Sequence, residues 1–596
     1  MAESRRDSII DRFLQQRRTR PAAPAYYEKI GSTWVPTSWD EFVSQTRSAA
    51  RAMMALGVRP GTVVCMLGFN RAEWVIGQLA AMMAGGVGAG IYATNSPSEV
   101  QYILNHSEAP IVILENESQW AKINQVRDEL PHLKCAVLMR GTQINDPLAR
   151  SWADFLACAE ETAEAELEAR IAAIEMEQLA SLIYTSGTTG PPKAVMLSHG
   201  NLASTARNGA DLFKLTPGDI LLSYLPLSHI AEQMFTIHTA ASVGYPVYYA
   251  ESLTKLPDNL REVQPTVFFA VPGVWERFRA RVSERLGEAK GAKKKIADWA
   301  QSVGREVVTL RNGGRQPHGL QAVQYRLADR LVFSKVKPLL GFSRTRIAVS
   351  GAAAIDKSVL EFFSGLDVTI YEVYGQSEGC GPTTFNRPGA TKLGTTGQVW
   401  PGSEVKLGPD GEILLRGPNV FLGYYKDAAA TQETLVDSWL HSGDLGQFDE
   451  DGFLSIVGRK KDIIITSGGK NIAPRNIESA LKNIDLIGDA VLVGEGRKYL
   501  CALLTLDPEK AERFAEANGI EGSELHTHPM VIEAIQAEID ESVNPQFARV
   551  EQVRKFTLLS RPFSIESGEL TPTLKLKRKV VCDMHLDEIE AMYGAE

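Results

Sequence analysis

The side chains that could carry chemistry are concentrated first in a loop at positions 184–193, which reads Tyr-Thr-Ser-Gly-Thr-Thr-Gly-Pro-Pro-Lys. Its hydroxyl groups can donate hydrogen bonds to phosphate oxygens, and its lysine adds a positive charge. Its two glycines would let the backbone approach an anion closely. The pattern therefore predicts a clamp for a triphosphate. The residues assigned to this clamp are Thr185, Ser186, Gly187, Thr188, Thr189, Gly190 and Lys193.

The context of this loop separates it from an ordinary surface loop. It differs from the Gly-x4-Gly-Lys-Ser/Thr phosphate loop, because two prolines separate Gly190 from Lys193. The apolar residues 179–183 before it and 194–197 after it are both typical of strands. A helix is expected to begin after residues 198–201, with Ser198 or Asn201 as its N-cap.

Length and composition limit what the chain can be. A chain of 596 residues predicts a large domain with its own core and at least one smaller domain. The net charge of −9 argues against a nucleic-acid partner. The six cysteines are scattered without a C-x-x-C pair, which favours reduced thiols over a disulfide framework or a zinc site. The first residues lack the apolar core of a secretory signal, so a cytoplasmic location is expected.

Two segments bear on membrane contact. Residues 75–93 are uncharged and nominally long enough to cross a bilayer, but they contain five glycines, which weaken a continuous helix. A buried helix that breaks near Gly85 and Gly86 and continues into a strand is expected instead. Residues 276–315 are helical in pattern and charged, with four lysines between 290 and 295. They are expected to form a solvated helix, with contact to an anionic membrane surface as the alternative.

The elements that must position the loop follow an alternating pattern. Residues 62–67, 111–114, 179–185, 267–271 and 345–350 are typical of buried strands, and residues 39–56 and 358–363 have helical spacing. Strands alternating with helices predict a mainly parallel sheet and an α/β fold. A short polar joint near residues 458–462 is followed by a fresh series of strands and helices. The predicted division is an N-terminal domain of residues 1–457, a hinge at 458–461 and a C-terminal domain of 462–596.

The loop resembles the signature of the adenylate-forming superfamily, which includes acyl-CoA synthetases, firefly luciferase and the adenylation domains of peptide synthetases. That signature usually has glycine after the lysine, where this chain has Ala194. Other segments resemble the remaining motifs in family order, at residues 225–232, 350–354, 371–378, 439–445, 458–462, 467–472 and 570–578. The resemblance runs from about residue 25 to 585. It implies a large N-terminal domain of layered sheets and helices that binds ATP and acid, followed by a smaller, mobile α+β domain.

The resemblance also implies roles for residues of the N-terminal domain. His229 would lie near the acyl carboxylate and the pyrophosphate path, although a lone histidine is more often a core residue. Glu378, together with Thr185, would hold Mg²⁺, and Asp444 and Arg459 would contact the ribose. Serine replaces the usual threonine at positions 377 and 442. The residues implied to surround adenine and the α-phosphate are Gly351, Ala352, Tyr374, Gly375, Gln376 and Ser377.

For the C-terminal domain, the resemblance implies a pivot at Lys461 and a catalytic lysine near the end of the chain. Aligning the lysine-x-x-arginine frame makes Lys575 that lysine, with Lys577 as the competing assignment. Leu574 stands where other members often have glycine. The residues implied to bind coenzyme A are Ser467, Gly468, Gly469 and Lys470.

The segment between Trp275 and Gly341 resembles the insert of long-chain and bubblegum-type acyl-CoA synthetases, and Trp275 is expected to contact the acyl chain. The implied reaction uses ATP, Mg²⁺ and coenzyme A. A fatty acid, long- or medium-chain, is converted to acyl-AMP and pyrophosphate, then to acyl-CoA and AMP. A fatty acyl-AMP ligase, a CoA ligase for an aryl or sterol-side-chain acid, and a non-catalytic acyl-binding protein are the alternatives. No signal for the oligomeric state is present.

Overall fold

The structure is a computed structural model that describes residues 7–185, 191–288, 290–520, 524–571 and 575–594. The fold is α/β, with two large mainly parallel sheets, a smaller antiparallel sheet and a C-terminal group of short sheets and helices. In the described ranges, no helix combines the length and the apolar character that crossing a bilayer requires.

The first large sheet has parallel central strands with an antiparallel strand or pair at each edge. Its strand Val267–Ala270 reads Val-Phe-Phe-Ala and is buried throughout, as expected for a parallel strand covered on both faces. In hydrogen-bonding order the strands are Gln398–Val399, Gly381–Phe385, Ile370–Gln376, Ile347–Ser350, Val267–Ala270, Leu221–Ser223, Val247–Tyr249, Pro24–Ile30 and Thr33–Ser38.

The second large sheet contains the two strands that flank the hydroxyl-rich loop, and these two strands pair antiparallel. The strands beyond Leu179–Thr185 run parallel. In hydrogen-bonding order the strands are Gly423–Tyr424, Lys193–Ser198, Leu179–Thr185, Val87–Ile91, Val63–Leu67, Ile111–Leu114, Cys135–Leu138 and Ala149–Ser151.

A third, antiparallel sheet carries the segment that leads to the hinge. Its strands are Glu404–Leu407, Glu412–Arg416, Trp439–Phe448 and Leu435–Val436, with Leu454–Arg459 paired to Trp439–Phe448. The C-terminal part contains the pair Ile464–Ile465 and Asn471–Ile472, and the three strands Ile487–Val493, Leu500–Leu506 and Val553–Leu558.

Helices cover the sheets. Before residue 458 the α-helices are Ile9–Thr19, Trp39–Ala55, Ala72–Met83, Pro97–Ser107, Glu117–Val126, Trp152–Ala157, Glu164–Ala172, His199–Phe213, Ile230–Gln233, Ala240–Val243, Leu256–Val263, Pro272–Gly287, Ala292–Asn312, Gly319–Ala328, Ser334–Leu340, Lys357–Ser364 and Ala428–Thr434. After it they are Pro474–Lys482, Pro508–Asn518, Pro529–Glu538, Arg578–Met584 and Leu586–Tyr593. The π-helical segments are Met234–Thr239, Asp329–Phe333 and Ile539–Val543. The 3₁₀ turns are Arg127–Glu129, Cys158–Glu161, Ser377–Gly379, Lys460–Asp462, Leu525–Thr527 and Asn544–Gln546.

The local expectations around the loop are confirmed. The chain after the loop forms the strand Lys193–Ser198, and the helix His199–Phe213 begins directly after it. Ser198 Oγ accepts from the Asn201 N–H at 3.1 Å, and the Asn201 side chain accepts from the Ser198 N–H at 2.9 Å. Both residues therefore take part in one reciprocal cap.

The uncharged segment 75–93 forms a buried helix that ends at Met83, a turn at the two glycines and the strand Val87–Ile91. This agrees with the sequence prediction. Gly86 is required at the turn, because a Cβ there would lie 2.7 Å from the Thr62 carbonyl oxygen. The segment 276–315 is helical but is divided between Pro272–Gly287 and Ala292–Asn312.

The C-terminal part has buried clusters of its own, which include Leu481 and Val581 and contain no residue before 464. A unit with its own core can in principle fold separately. This supports the division at residues 458–461, which we retain as a proposal.

Candidate active site

A cavity of about 700 Å³ lies where the large sheets, the third sheet and the C-terminal part meet. The strands Leu179–Thr185 and Ile370–Gln376 end at it, each presenting its last residue to the cavity. Because loops at the ends of parallel strands can carry side chains from distant segments, this is a usual position for a binding site. The sequence-predicted residues that line the cavity are Thr185, Lys193, His229, Ala352, Gly375, Gln376, Ser377, Glu378, Arg459, Lys461 and Lys575.

The two ends of the hydroxyl-rich loop face each other. Thr185 and Lys193 are register partners in the antiparallel strand pair, and Thr185 Oγ1 donates to the Lys193 carbonyl oxygen at 3.4 Å. Both residues line the cavity. The remaining residues assigned to the clamp, Ser186, Gly187, Thr188, Thr189 and Gly190, lie outside the described residues.

Tyr424 connects the phosphate side of the cavity to the expected metal-binding carboxylate. Its hydroxyl donates to Glu378 Oε1 at 2.8 Å, and Lys193 Nζ lies 4.9 Å from the centre of its ring. Burial and the Glu378 charge raise the pKa of the phenol, so Tyr424 remains a donor. Sequence reasoning missed Tyr424, since only the pairing of Gly423–Tyr424 with Lys193–Ser198 brings it there.

The turn that carries Ser377 and Glu378 depends on a glycine. A Cβ at Gly375 would lie 1.8 Å from the Gly381 carbonyl oxygen, so no other residue fits without moving the paired strand. The turn reverses the chain at Cys380, which has a φ of 54°. The tight hairpin directs Ser377 and Glu378 into the cavity.

Asp444 lies at the junction of three elements and is 6% exposed. Its Oδ2 accepts from the Tyr374 hydroxyl at 2.8 Å, and its Oδ1 accepts from Arg459 Nε at 3.0 Å. Arg459 is its cross-strand partner. Burial, and then the charge of Asp444, raise the pKa of Tyr374 well above its ordinary value. Asp444 and Tyr374 are not among the cavity-lining residues of the described chain, whereas Arg459 is.

The turn expected to cover adenine has a left-handed residue that is not glycine. Ala352 has a φ of 68° and lines the cavity. An alanine in this region is strained by about 1 kcal/mol or more, and such strain is common at functional sites. Gly351 packs behind it, where a Cβ would lie 2.5 Å from Val373 Cγ1.

His229 presents a neutral imidazole to the cavity. Its Nδ1 accepts from the Ala231 N–H at 3.2 Å at the start of a short helix. A neutral ring that accepts at Nδ1 carries its proton on Nε2. Burial, and then the positive charge of Lys575, lower the pKa of His229 to about 4. The ring is therefore uncharged at physiological pH and can donate from Nε2 without adding charge.

Lys575 reaches the cavity from a closed turn of the C-terminal part. The Lys575 N–H donates to Thr571 Oγ1 at 2.9 Å, and the Lys577 N–H donates to the Glu569 carbonyl at 2.8 Å. Lys577 is not among the cavity-lining residues of the described chain. The pKa of Lys575 is lowered, first because the surrounding protein displaces water and then because Arg459 is close.

A buried carboxylate holds the base of this turn. Glu569 is fully buried and accepts from Arg561 Nη1 at 2.6 Å, while His585 Nε2 lies 3.2 Å from its Oε1. Burial alone would raise the pKa of Glu569. Hydrogen bonds from Arg561, Ser567 and His585 instead lower it to about 2. Sequence reasoning missed this group, although its partners Arg561, Ser567 and His585 are near it in the chain, because no short motif marks their pairing.

Part of the cavity wall, called the apolar end below, contains aromatic side chains that touch one another, since Phe213 packs against Phe385 and Phe385 against Trp400. The π-helical segment Met234–Thr239 widens a continuous helix there and presents side chains to the opening. A π-helical turn often marks a functional site. The apolar lining residues are Phe213, Leu215, Ile230, Met234, Phe235, Phe269, Val373, Phe385 and Trp400.

Trp275 does not lie in this apolar end. It is fully buried, its Nε1 donates to the Val349 carbonyl at 3.3 Å, and it packs edge-on against Phe268 and Phe363. The expectation that Trp275 contacts the acyl chain therefore finds no support in its position. Trp275 packs behind the strands that border the cavity instead.

The expected hinge is tied to the third sheet. Lys460 Nζ lies 2.6 Å from Asp410 Oδ2 and 3.1 Å from Glu412 Oε2. The other oxygen of Glu412 accepts from the Gly443 N–H at 2.9 Å. Glu412, Gly443, Lys460 and Lys461 all line the cavity. One carboxylate thus connects the hinge to the residue that precedes Asp444.

The residues expected to bind coenzyme A form an exposed turn outside the cavity. The turn joins Ile464–Ile465 to Asn471–Ile472, and the Thr466 N–H donates to the Lys470 carbonyl at 3.0 Å. Gly469 has a φ of 72°, which glycine adopts readily. The residues concerned, Ser467, Gly468, Gly469 and Lys470, are exposed.

Two family models match the chain along most of its length. Residues 13–425 match the AMP-binding enzyme family, and residues 461–596 match the AMP-binding enzyme C-terminal domain. The chain is 37% identical over 601 residues to the long-chain-fatty-acid–CoA ligase ACSBG2 of Homo sapiens, covering 96% of this chain and 90% of that protein. It is 35% identical over 608 residues to the long-chain-fatty-acid–CoA ligase FadD15 of Mycobacterium bovis, covering 99% and 98%.

Solved structures with the same architecture include the anthranilate CoA ligase AuaEII in complex with anthranoyl-AMP. Its TM-score is 0.72 at 20% identity, with 98% of each chain covered. The adenylation domain of a carboxylate reductase from Mycobacterium chelonae has a TM-score of 0.73 at 20% identity, covering 99% of this chain and 92% of that one. At this identity the likeness shows the fold alone.

Proposed function

Because the chain belongs to the AMP-binding enzyme family, we propose that it is an AMP-forming acid–thiol ligase for fatty acids. A fatty carboxylate and ATP give acyl-AMP and pyrophosphate, and coenzyme A then takes the acyl group and releases AMP. The observation that carries this proposal is a single cavity that joins an apolar end to Lys193, Glu378 and Lys575. An acyl chain and a triphosphate need these two environments side by side.

The adenylation step brings two anions together, so positive charge and alignment are its main requirements. A carboxylate oxygen bonds to the α-phosphorus as the bond to the pyrophosphate oxygen breaks. We assign Lys575 to the charge that develops between the carboxylate and the α-phosphate. His229, neutral with its proton on Nε2, would donate a hydrogen bond to the same region. Asp444 and Arg459 are assigned to the ribose.

The residues at the phosphate side fit a magnesium ion that arrives with the nucleotide. Glu378 is oriented by Tyr424, and a carboxylate with phosphate oxygens is a ligand set that Mg²⁺ prefers. Within the described residues, no group of three His, Cys, Asp or Glu side chains could hold a metal, so the nucleotide must supply most ligands. Thr185 is the second proposed protein contact. When bound, the ion would neutralise the charge of the triphosphate.

Transfer to coenzyme A needs a different arrangement of the C-terminal part. In this structure Lys575 lines the cavity while the turn at residues 467–470 is exposed. The thiol must reach the acyl carbonyl carbon, which requires Lys575 to withdraw. We propose a rotation about Lys461 that exchanges the two, a hinge motion between two closed states. The thiol loses its proton to solvent, its sulfur bonds to the carbonyl carbon, and the bond from that carbon to the phosphate oxygen breaks so that AMP leaves.

The test is acid-dependent release of AMP, with and without coenzyme A, across acids from acetate to oleate. We expect AMP and acyl-CoA to form with long or medium chains. Accumulation of acyl-AMP with no response to coenzyme A would identify a fatty acyl-AMP ligase instead. A preference for aryl or sterol-side-chain acids would retain the chemistry but reject the fatty substrate.

We propose the cellular compartment from the oxidation state of the cysteines. All six are free thiols, and five of them are buried, as is usual for proteins of a reducing compartment. A cytoplasmic location with peripheral membrane contact is consistent with an apolar substrate that partitions into lipid.

A further inference from the structure

Four apolar side chains form an exposed stripe on the helix Gly319–Ala328 and the turn that follows it. Their exposed fractions are 73% for Leu320, 58% for Val323, 48% for Leu327 and 37% for Leu331. The intervals of three, four and four residues keep them on one face of the helix. Leu339, in the next helix, is 57% exposed. Single exposed leucines are ordinary, but a continuous stripe of this kind marks an interaction surface.

The segment does not need this stripe to form its hydrophobic core. The opposite face of the same segment is fully used, because Ala328, Val332 and Phe333 pack against Ala300 and neighbouring residues of the preceding helix. The segment therefore has an inner apolar face that stabilises the fold and an outer apolar face that contributes nothing to it. Exposing the outer face to water costs free energy unless something covers it.

The charges around the stripe indicate what covers it. Residues 315–344 contain six basic residues and one acidic residue, in a protein whose net charge is −9. Arg326, Arg330 and Lys335 are exposed, and in the described part of the chain none of them forms an ion pair. An apolar stripe flanked by unpaired cations is complementary to an anionic lipid surface, where leucines enter the acyl boundary and arginines meet phosphates. A second copy of the chain would place these cations against one another.

We propose that the surface formed by Leu320, Val323, Leu327, Leu331 and Leu339, with Arg326, Arg330 and Lys335, docks the protein on anionic membranes. This surface differs from the lysine-rich segment 276–315, which is expected to form a solvated helix and for which membrane contact is the alternative. It also does not depend on the proposed function, because the surface contains no residue of the cavity.

The experiment is flotation of the full chain with vesicles in a density gradient. One set of vesicles contains phosphatidylcholine alone and the other contains phosphatidylcholine with about one third phosphatidylglycerol. We expect the wild type to float with the anionic vesicles, and less so at high salt. The double variants V323S/L327S and R326Q/R330Q should each lower the bound fraction about tenfold.

The matched control removes two exposed arginines from the C-terminal part, in the variant R549Q/R554Q, and should bind like the wild type. Acid-dependent AMP release in solution shows that each variant is folded. Absence of wild-type flotation, or equal loss of binding in the control, overturns the proposal. So does a wild-type dimer in sedimentation velocity that V323S/L327S dissociates, since the stripe would then join two copies.

Discussion

At the scale of single residues, the site depends on where positive charge is placed and on which groups remain neutral. Lys193 and Lys575 line the same cavity, and the pKa of His229 is held at about 4. A charged histidine beside Lys575 would add a like charge that burial makes costly. The neutral ring instead leaves the lysine as the charge that two anionic substrates meet.

The first prediction concerns Lys575. Lys575→Ala should lower the rate of acyl-AMP formation about a hundredfold to a thousandfold, as removal of one group that stabilises developing charge usually does. Formation of acyl-CoA from supplied acyl-AMP should be nearly unchanged, because the proposed second step needs Lys575 withdrawn. Lys577→Ala is the control and should leave both half-reactions intact. Equal losses in the two half-reactions of Lys575→Ala would reject the assignment.

The second prediction concerns the hydroxyl of Tyr424. Tyr424→Phe keeps the ring beneath Lys193 but removes the hydrogen bond to Glu378. A hydrogen bond to a charged group is worth about 1.5–3 kcal/mol, so kcat/KM for ATP should fall about tenfold or more. Raising the Mg²⁺ concentration should restore part of the lost kcat/KM. Tyr425→Phe is the neighbouring control, and identical magnesium dependence in both variants would contradict the role given to Tyr424.

At the scale of elements, ion pairs hold the segment that we propose as the hinge against the third sheet. Lys460 contacts Asp410 and Glu412 of the third sheet. A rotation about Lys461 would change the direction of the neighbouring side chain and separate these groups. The pairs therefore stabilise the arrangement in which Lys575 lines the cavity.

The third prediction follows from this pairing. Lys460→Ala should lower the adenylation rate about two- to fivefold while leaving thioester formation from acyl-AMP unchanged or faster. The effect is small because Lys460 is about half exposed, at 49%, and exposed ion pairs contribute little. It should shrink further at high salt. Lys482→Ala removes a similarly exposed lysine that pairs with Asp489, and a matching loss there would exclude a specific latch.

The fourth prediction concerns the helix His199–Phe213, which borders the apolar end. Gly209 lines the cavity, and a Cβ there would lie 3.5 Å from Trp400 Cη2. Gly209→Leu should therefore fill the acyl end and lower kcat/KM for long acids about tenfold or more, while short acids are spared. The control is Gly287→Leu, where a Cβ meets nothing within 4 Å. An unchanged chain-length profile in Gly209→Leu would place the acyl chain elsewhere.

At the scale of the whole molecule, the proposed rotation requires the C-terminal part to remain folded while it moves. It has its own buried clusters, and the turn that carries Lys575 is fixed by Glu569. Within the described residues, the hydrogen bonds of Glu569 go only to residues of the same part, so these contacts can survive a rotation of that part. The contacts that stabilise the C-terminal part are therefore different from the ion pairs of Lys460 that the proposed rotation would break.

The fifth prediction concerns pH and stability. The pKa of Glu569 falls from 4.5 to about 2 on folding, and each unit of pKa shift corresponds to about 1.4 kcal/mol. The carboxylate thus contributes about 3 kcal/mol above pH 4.5, and this is lost as the pH falls towards 2. Glu569→Gln should lower the free energy of unfolding at neutral pH by about this amount. Urea unfolding at several pH values should also show that the free energy of unfolding of the variant falls less in acid than that of the wild type. An equal fall in both proteins would exclude Glu569 as the source of the acid dependence.

The sequence by itself determined the features that depend on neighbours along the chain. The strand before the loop, the strand after it and the cap at Ser198 follow from apolar runs and hydroxyl groups a few residues apart. The motifs, found in the order typical of the family, indicated which family the chain belongs to. The glycines at 85 and 86 argued against a membrane-spanning helix. In all of these, the interacting groups are close in the chain, so spacing alone specifies the contact.

Only the tertiary structure decided which distant groups meet. Tyr424 reaches Lys193 because two strands pair, and Lys575 rather than Lys577 is among the described cavity-lining residues, where the C-terminal part meets strands far away in the sequence. Trp275 is buried against Val349 instead of lining the acyl end. The exposed apolar stripe near Leu320 could be recognised only from the structure, which shows that the opposite face of the same segment is buried. These outcomes depend on sheet register and packing between segments far apart in sequence, which local spacing does not encode.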